Sequence, residues 1–233
     1  MPQRDLTDQR VAVVGATGAL GSRVARGLAA GGARLLLVGR DEQRLQQVAQ
    51  DLGAGATVVG DLGDATTGDR VAETAREQLG GLDGLVNAAG IAAFGPLVDT
   101  PDAVVEEVFT TNVVGPAFLL RRLLPLLQET EGFVVNLSAI LAERPMAGMG
   151  AYSASKAALT ALDRSLAGEL RRAKVRVLDV RPPHTETGLV DRAIHGEAPR
   201  LPDGLSPDDV ADRVVRAITE DASDLGSDDF LEG

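Results

Sequence analysis

Tyr152 and Lys156 stand four residues apart in Tyr152-Ser153-Ala154-Ser155-Lys156, one turn along a helix and on the same face of it. Tyr152 is the only tyrosine in the chain and Lys156 one of two lysines, so chance is a weak explanation of the spacing. A phenol beside an ammonium is a general acid/base pair. A free phenol titrates near about 10, and bringing it to about 7 takes roughly 4 kcal/mol. A cation about 5 Å away in an effective dielectric of about 20 supplies roughly 3 kcal/mol of that, so Lys156 is the right size of charge to tune Tyr152. Ser138 ends the apolar run Phe133 to Leu137, which puts its hydroxyl at the carboxyl edge of a strand, where it could hold a carbonyl oxygen. Asn112 falls inside a helical stretch and reads either as a surface polar residue or as the holder of a water in a proton path.

A second group of residues offers a phosphate site. The first apolar run leads straight into Gly15-Ala16-Thr17-Gly18-Ala19-Leu20-Gly21, and a helix begins within it. Glycines there let the backbone turn tightly against a pyrophosphate, which then sits on the positive end of the helix. An acidic residue closing the second strand would clasp a ribose 2′-hydroxyl; LLLVGRDEQ instead gives Gly39 followed by Arg40. An arginine fork suits a 2′-phosphate, which favours NADP(H), with NAD(H) the second choice. The plainer reading makes Arg40 a solvated loop residue and Asp41 a helix N-cap. After the third strand, Asp61-Leu62 offers a carboxylate to an adenine amino group, or merely turns the loop.

These residues need a scaffold that brings strand ends together, and the chain alternates short apolar runs with longer amphipathic ones throughout, the βαβ pattern of a doubly wound α/β sheet. Strands are expected at Val11–Val14, Leu35–Val38, Thr57–Val59, Leu85–Asn87, Phe133–Leu137 and Val175–Val180, and helices at about 20–30, 42–52, 65–79, 103–127, 151–173 and 208–222. Pro116 and Pro125 are expected to bend or end parts of the fourth helix. The reading is a Rossmann-type parallel sheet of six strands with helices on both faces, in a single domain spanning 1–233. A long irregular segment at about 183–206 is taken as a substrate loop, and the acidic end after Ala222 as a partly mobile tail.

Composition narrows the function. With 233 residues, one large α/β domain is the default. Aromatics are only 3% of the chain, so the core must be aliphatic. A net charge of −11 would repel a nucleic-acid backbone. The absence of cysteine excludes disulfides and thiolate chemistry, and His184 and His195 alone make a histidine metal site improbable, so no metal is expected. No stretch reaches roughly 18 uncharged apolar residues, and the N-terminal residues MPQRDLTDQR carry no apolar leader; no membrane partner and a cytoplasmic location are the resulting expectations.

Taken in order, these motifs resemble the classical short-chain dehydrogenases/reductases over nearly the whole length. Gly15 to Gly21 is similar to that family's glycine-rich turn, Asp61 to its adenine-side aspartate, Asn87-Ala88-Ala89-Gly90 to its NNAG segment, and Asn112, Ser138, Tyr152 and Lys156 to its catalytic tetrad. The resemblance implies that Tyr152 gives or takes the proton, Ser138 orients the substrate oxygen, Lys156 binds the nicotinamide ribose, and Asn112 holds the water linking Lys156 to solvent. It also brings Pro182, Thr185 and Thr187 to the cofactor, Thr185 through its backbone toward the carboxamide. The chain departs from the family at Val14, Ala19 and Pro183. The function implied is hydride transfer between nicotinamide and the carbonyl or secondary alcohol of a small, largely apolar substrate; the alternatives are an epimerase or dehydratase using bound nicotinamide, and a dinucleotide sensor without turnover. Helices 103–127 and 151–173 would pair across a twofold axis into a homodimer. A tetramer is not favoured, because the seventh strand that would build the second interface is not evident.

Overall fold

A computed structural model of the chain describes residues 4–231. It contains one parallel sheet in the order β3-β2-β1-β4-β5-β6-β7, formed by β1 (Arg10–Val14), β2 (Arg34–Gly39), β3 (Ala56–Val59), β4 (Gly84–Asn87), β5 (Phe133–Leu137), β6 (Arg176–Val180) and β7 (Asp224–Leu225). The order reverses direction at β1 and β4, so the loops leaving their carboxyl ends diverge and open a crevice. Alternate side chains divide the core. Val11 and Val13 of β1 face α1 (Ala19–Ala30), α2 (Glu42–Leu52) and α7 (Pro207–Thr219). Ala12 and Val14 face α3 (Thr67–Thr74), α5 (Gly115–Glu129) and α6 (Gly150–Leu170). With both faces covered, the strands read as continuous apolar runs rather than alternating ones.

The expected elements are present with ends within three residues of expectation, with three differences. First, helix 102–129 is continuous: α4 (Asp102–Phe109) passes through a wide π-turn at Thr110–Val114 into α5. Pro116 lies in the first turn of α5 and Pro125 on its solvent side, where a missing N–H is tolerated, and neither ends the helix. An 18-residue stretch of this helix has a mean hydropathy of 1.3, long and apolar enough to cross a membrane by length and composition. Leu119, Leu120, Leu123, Leu126 and Leu127 account for much of that, and all are buried in the core.

Second, the sheet has seven strands, not six. β7 pairs Asp224 with Asp179 and Leu225 with Val180. Two residues are too few to leave an apolar run, and the strand is held largely by one buried cation. Arg181 donates to Asp224 at 2.8 and 2.7 Å and also pairs with Asp179 and Glu143. Third, the acidic segment after Ala222 makes specific contacts. Leu225 and Ser227 are buried, and Ser227 donates to Glu143 at 2.8 Å. The carboxylates of this segment, expected to be a partly mobile tail, are the partners that Arg181 and Arg144 bind. Glu232 and Gly233 lie outside the described residues.

Candidate active site

The glycine turn meets the physical demands of a phosphate cradle. Gly15 has φ +75°, and a Cβ there would lie 2.8 Å from the backbone of Ala88 and Ala89. A Cβ on Gly21 would stand 2.1 Å from the Gly15 carbonyl oxygen. Gly18 is the extended N-cap of α1, with no side-chain cap and no acidic residue in the first turn, so the helix presents its free N–H groups and partial positive charge to the crevice. Ala19 begins the helix proper, a position any L-residue fills, which explains why the family's middle glycine is dispensable there.

Two cavities flank this turn. One, of about 480 Å³, is lined by Gly15, Thr17, Gly18, Arg40, Asp61, Leu62, Ala88 and Gly90. The other, of about 280 Å³, is lined by Gly18, Ala19, Leu20, Ala88, Gly90, Ser138, Tyr152, Lys156, Pro182, Thr185 and Thr187. They share Gly18 and the Ala88–Gly90 backbone, which is the division a dinucleotide needs, adenosine on one side and nicotinamide on the other. The donor set therefore fits NAD(P). At the adenosine end Arg40 lies 3.4 Å from Asp61, with its side chain two-thirds exposed. Asp61 also accepts from Gly63 N at 2.7 Å, so it turns its loop as well as lining the cavity. Asp41 caps α2 by accepting from Arg44 N. A Cβ on Gly39 would press on Thr17 and Leu45 at 3.2 to 3.4 Å, so an acidic side chain in its place would crowd the turn.

Three of the expected residues line neither cavity. Gly21 serves only close packing. Asn87 is buried and donates to Asn136 Oδ1 at 3.0 Å, and Asn136 donates in turn to Asp163. Asn112 is fully buried in the π-turn. Its Oδ1 accepts from Ile91 N and its Nδ2 donates to Ile91 O, each at 2.9 Å, and to Ser155 Oγ at 3.0 Å. It thus clamps the chain just after Gly90, whose Cβ, if present, would sit 3.2 Å from Lys156 Nζ and 3.4 Å from Asn112 Oδ1.

At the catalytic end, α6 carries Tyr152 and Lys156 to the cavity wall, both buried. Lys156 Nζ donates to Leu137 O at 2.9 Å and lies 5.9 Å from the centre of the Tyr152 ring. Ser138 Oγ donates to Lys156 O at 2.9 Å. Burial lowers Lys156 to about 8, against the attraction of Asp179 and Asp163. Burial also pushes Tyr152 up to about 12. Desolvation sets that direction in the chain alone; tuning toward neutrality is the expected work of Lys156 together with the positive ring of an oxidised nicotinamide.

Sequence reasoning missed several site residues. Phe94 and Ile140 join Leu141, Met146 and Met149 as apolar wall, together with Leu189, Val190 and Leu201 of the expected substrate loop at 183–206, which folds over Tyr152. Behind Ser138 lies a buried polar cluster of Asn136, Thr160, Asp163, Asp179 and Arg181. Its one visible signal was a polar residue between apolar strand neighbours, Asn136 in β5 and Asp179 in β6.

Residues 9–198 match the family model described as short chain dehydrogenase. An uncharacterized oxidoreductase of Staphylococcus epidermidis is 32% identical over 215 residues, covering 91% of this chain and 92% of that protein. The human mitochondrial dehydrogenase/reductase SDR family member 2 is 35% identical over 193 residues, covering 80% and 69%. Among solved structures, an alcohol dehydrogenase from Thermococcus sibiricus complexed with 5-hydroxy-NADP superposes with a TM-score of 0.82 at 25% identity, covering 94% of each chain. A short-chain dehydrogenase from Streptomyces avermitilis superposes with 0.84 at 28%, covering 97% of this chain and 92% of the other. This chain belongs to the short-chain dehydrogenase/reductase family and is an oxidoreductase of that type, acting on CH–OH and C=O groups with a nicotinamide cofactor.

Proposed function

We propose that the chain reduces the carbonyl of a small, largely apolar substrate with NADPH, Tyr152 donating the proton and Ser138 a hydrogen bond to the substrate oxygen. The observation that carries this is the meeting of Tyr152, Ser138 and Lys156 on one wall of a mostly apolar cavity whose lining includes Phe94, Leu141, Met149, Leu189 and Leu201. Such a cavity rewards an apolar body, with His184, Thr185, Thr187 and Arg192 as further polar groups on its wall. When bound, the nicotinamide supplies the hydride. The residues that would hold the dinucleotide are the Gly15–Gly21 turn for the pyrophosphate, Lys156 for the nicotinamide-side ribose, Thr185 and Thr187 for the carboxamide end, and Asp61, Leu62 and Arg40 for the adenosine end.

A phenol is protonated at neutral pH and burial raises it further, so Tyr152 is available to the reduction as an acid. As its proton leaves, the Lys156 ammonium on the same face stabilises the phenolate. The preference for NADPH rests on Arg40 and on the crowding at Gly39. Tyr152→Phe should cut NADPH oxidation with apolar ketones by at least about 10², while NADPH binding, followed by cofactor fluorescence, stays within about twofold. Unimpaired turnover would show that the proton comes from elsewhere. A wild-type protein that binds NADPH but oxidises it with none of cyclohexanone, acetophenone or 2-octanone would overturn the substrate class.

We further propose a homodimer formed through the helix 102–129 and α6.

A further inference from the structure

Ser138 Oγ is approached by two groups from α6. It donates to Lys156 O at 2.9 Å and accepts from Thr160 Oγ1 at 3.1 Å. Thr160 Oγ1 also lies 3.2 Å from Asp179 Oδ1. Ser138 faces the cavity, but Thr160 and Asp179 are buried at 5 and 3% exposure and line neither cavity, so water does not replace a missing partner behind the serine. A threonine hydroxyl has one proton, and it cannot serve Ser138 and Asp179 at once. The other oxygen of Asp179 is bound by Arg181, which draws charge from the carboxylate and weakens its hold on the threonine proton. Arg181 is itself fixed by Glu143 and Asp224.

We propose that Thr160 is a positioning residue for Ser138: by donating to the serine oxygen it fixes the hydroxyl so that its single proton is aimed forward, first at Lys156 O and then at the substrate oxygen. Asp179 competes for the same proton, and Arg181, by binding the other carboxylate oxygen, weakens that competition. Nothing in the Tyr-x-x-x-Lys spacing requires a hydroxyl eight residues beyond Tyr152. A Val in its place would fill the same volume and leave the serine oxygen free to accept the proton it should be giving against.

This rests on the reading of Ser138 as donor to the substrate oxygen, and a double-mutant cycle separates the two. NADPH oxidation is followed with the apolar ketone that the wild type turns over best, for wild type, Thr160→Val, Thr160→Ser, Ser138→Ala and the Ser138→Ala/Thr160→Val double variant, with cofactor affinity and melting temperature measured on each. Thr160→Val should lower kcat about tenfold, the kinetic equivalent of one hydrogen bond, with KM and NADPH affinity within about twofold. Thr160→Ser should restore it. In the Ser138→Ala background the same change should cost nothing further. A purely structural threonine would instead add its loss to that of Ser138→Ala, and that result overturns the proposal. So does a Thr160→Val enzyme with wild-type kcat beside a crippled Ser138→Ala. If Ser138→Ala itself turns over within twofold of wild type, the reading of Ser138 fails and the positioning role with it. Should Thr160→Val not fold, Thr160→Ala against Thr160→Ser gives the same comparison.

Discussion

In the proposed preference for NADPH, Arg40 is the residue that distinguishes the two dinucleotides. Its partner Asp61 is 3.4 Å away and both side chains are largely exposed; such pairs are worth at most about 1 kcal/mol, so the guanidinium is readily surrendered to a phosphate. Arg40→Ala should weaken NADPH binding by about 1.5 to 3 kcal/mol, the range for a hydrogen bond to a charged group, and leave NADH nearly unchanged. Titration of both cofactors checks this, and equal losses would refute the assignment. Arg44 lines the same cavity and reaches the Thr17 carbonyl at 3.5 Å; it went unnoticed because its spacing from Arg40 marks only a helix face. The same contrast runs through the site. Tyr152, Lys156 and Ser138 were legible because their roles follow from local spacing and a strand end. Thr160 and Asp179 were not, since their meeting depends on how α6 lies across β5 and β6, and no short window of sequence encodes that.

At the scale of elements, α6 was read as an amphipathic helix, and the reading located it well. What it hid is that the buried face is partly polar, with Ser155, Thr160 and Asp163 beneath the catalytic pair. Asp163 is 2% exposed and its Oδ2 has no hydrogen-bond partner among the described residues. Burial pushes it up to about 8, assisted by Asp179 and opposed by Asn136, Lys156 and Arg181. An unfolded-chain aspartate titrates near about 4, so between these values the folded state binds the extra proton. The contribution of Asp163 is therefore full below about pH 4 and is lost as pH rises through about 8. Asp83 and Glu143, held below the usual carboxylate range by Arg10 and Arg181, lose theirs only in acid, outside this window. From pH 5 to 8 the melting temperature of the wild type should fall more than that of Asp163→Asn, at about 2–4 °C per kcal/mol. Parallel curves would mean that the carboxyl is ionised throughout. The last strand shows the opposite limit of legibility: β7 has two residues and no periodicity, and its placement comes from Arg181 and the single buried Leu225.

For the whole molecule, the decisive surface is the outer side of helix 102–129. Val114 and Phe118, one turn apart, are 38 and 39% exposed, and Leu124 and, on α6, Leu162 are only partly covered by the core. An apolar stripe on a 28-residue helix is more than the sheet and α3 bury, and a twofold contact can cover it by pairing the patch with itself. The earlier argument against a tetramer, a missing seventh strand, no longer holds, because β7 exists. Its two-residue length still leaves little edge on which to build a second interface. Light scattering at micromolar concentration should give about twice the chain mass of 24.2 kDa, and Phe118→Arg together with Val114→Glu should return it to the single-chain value with the fold intact by circular dichroism. A wild-type mass of one chain would refute the dimer. A mass of four chains would mean that a second contact exists beside this one, and a double variant that stayed dimeric would place the interface elsewhere on the surface.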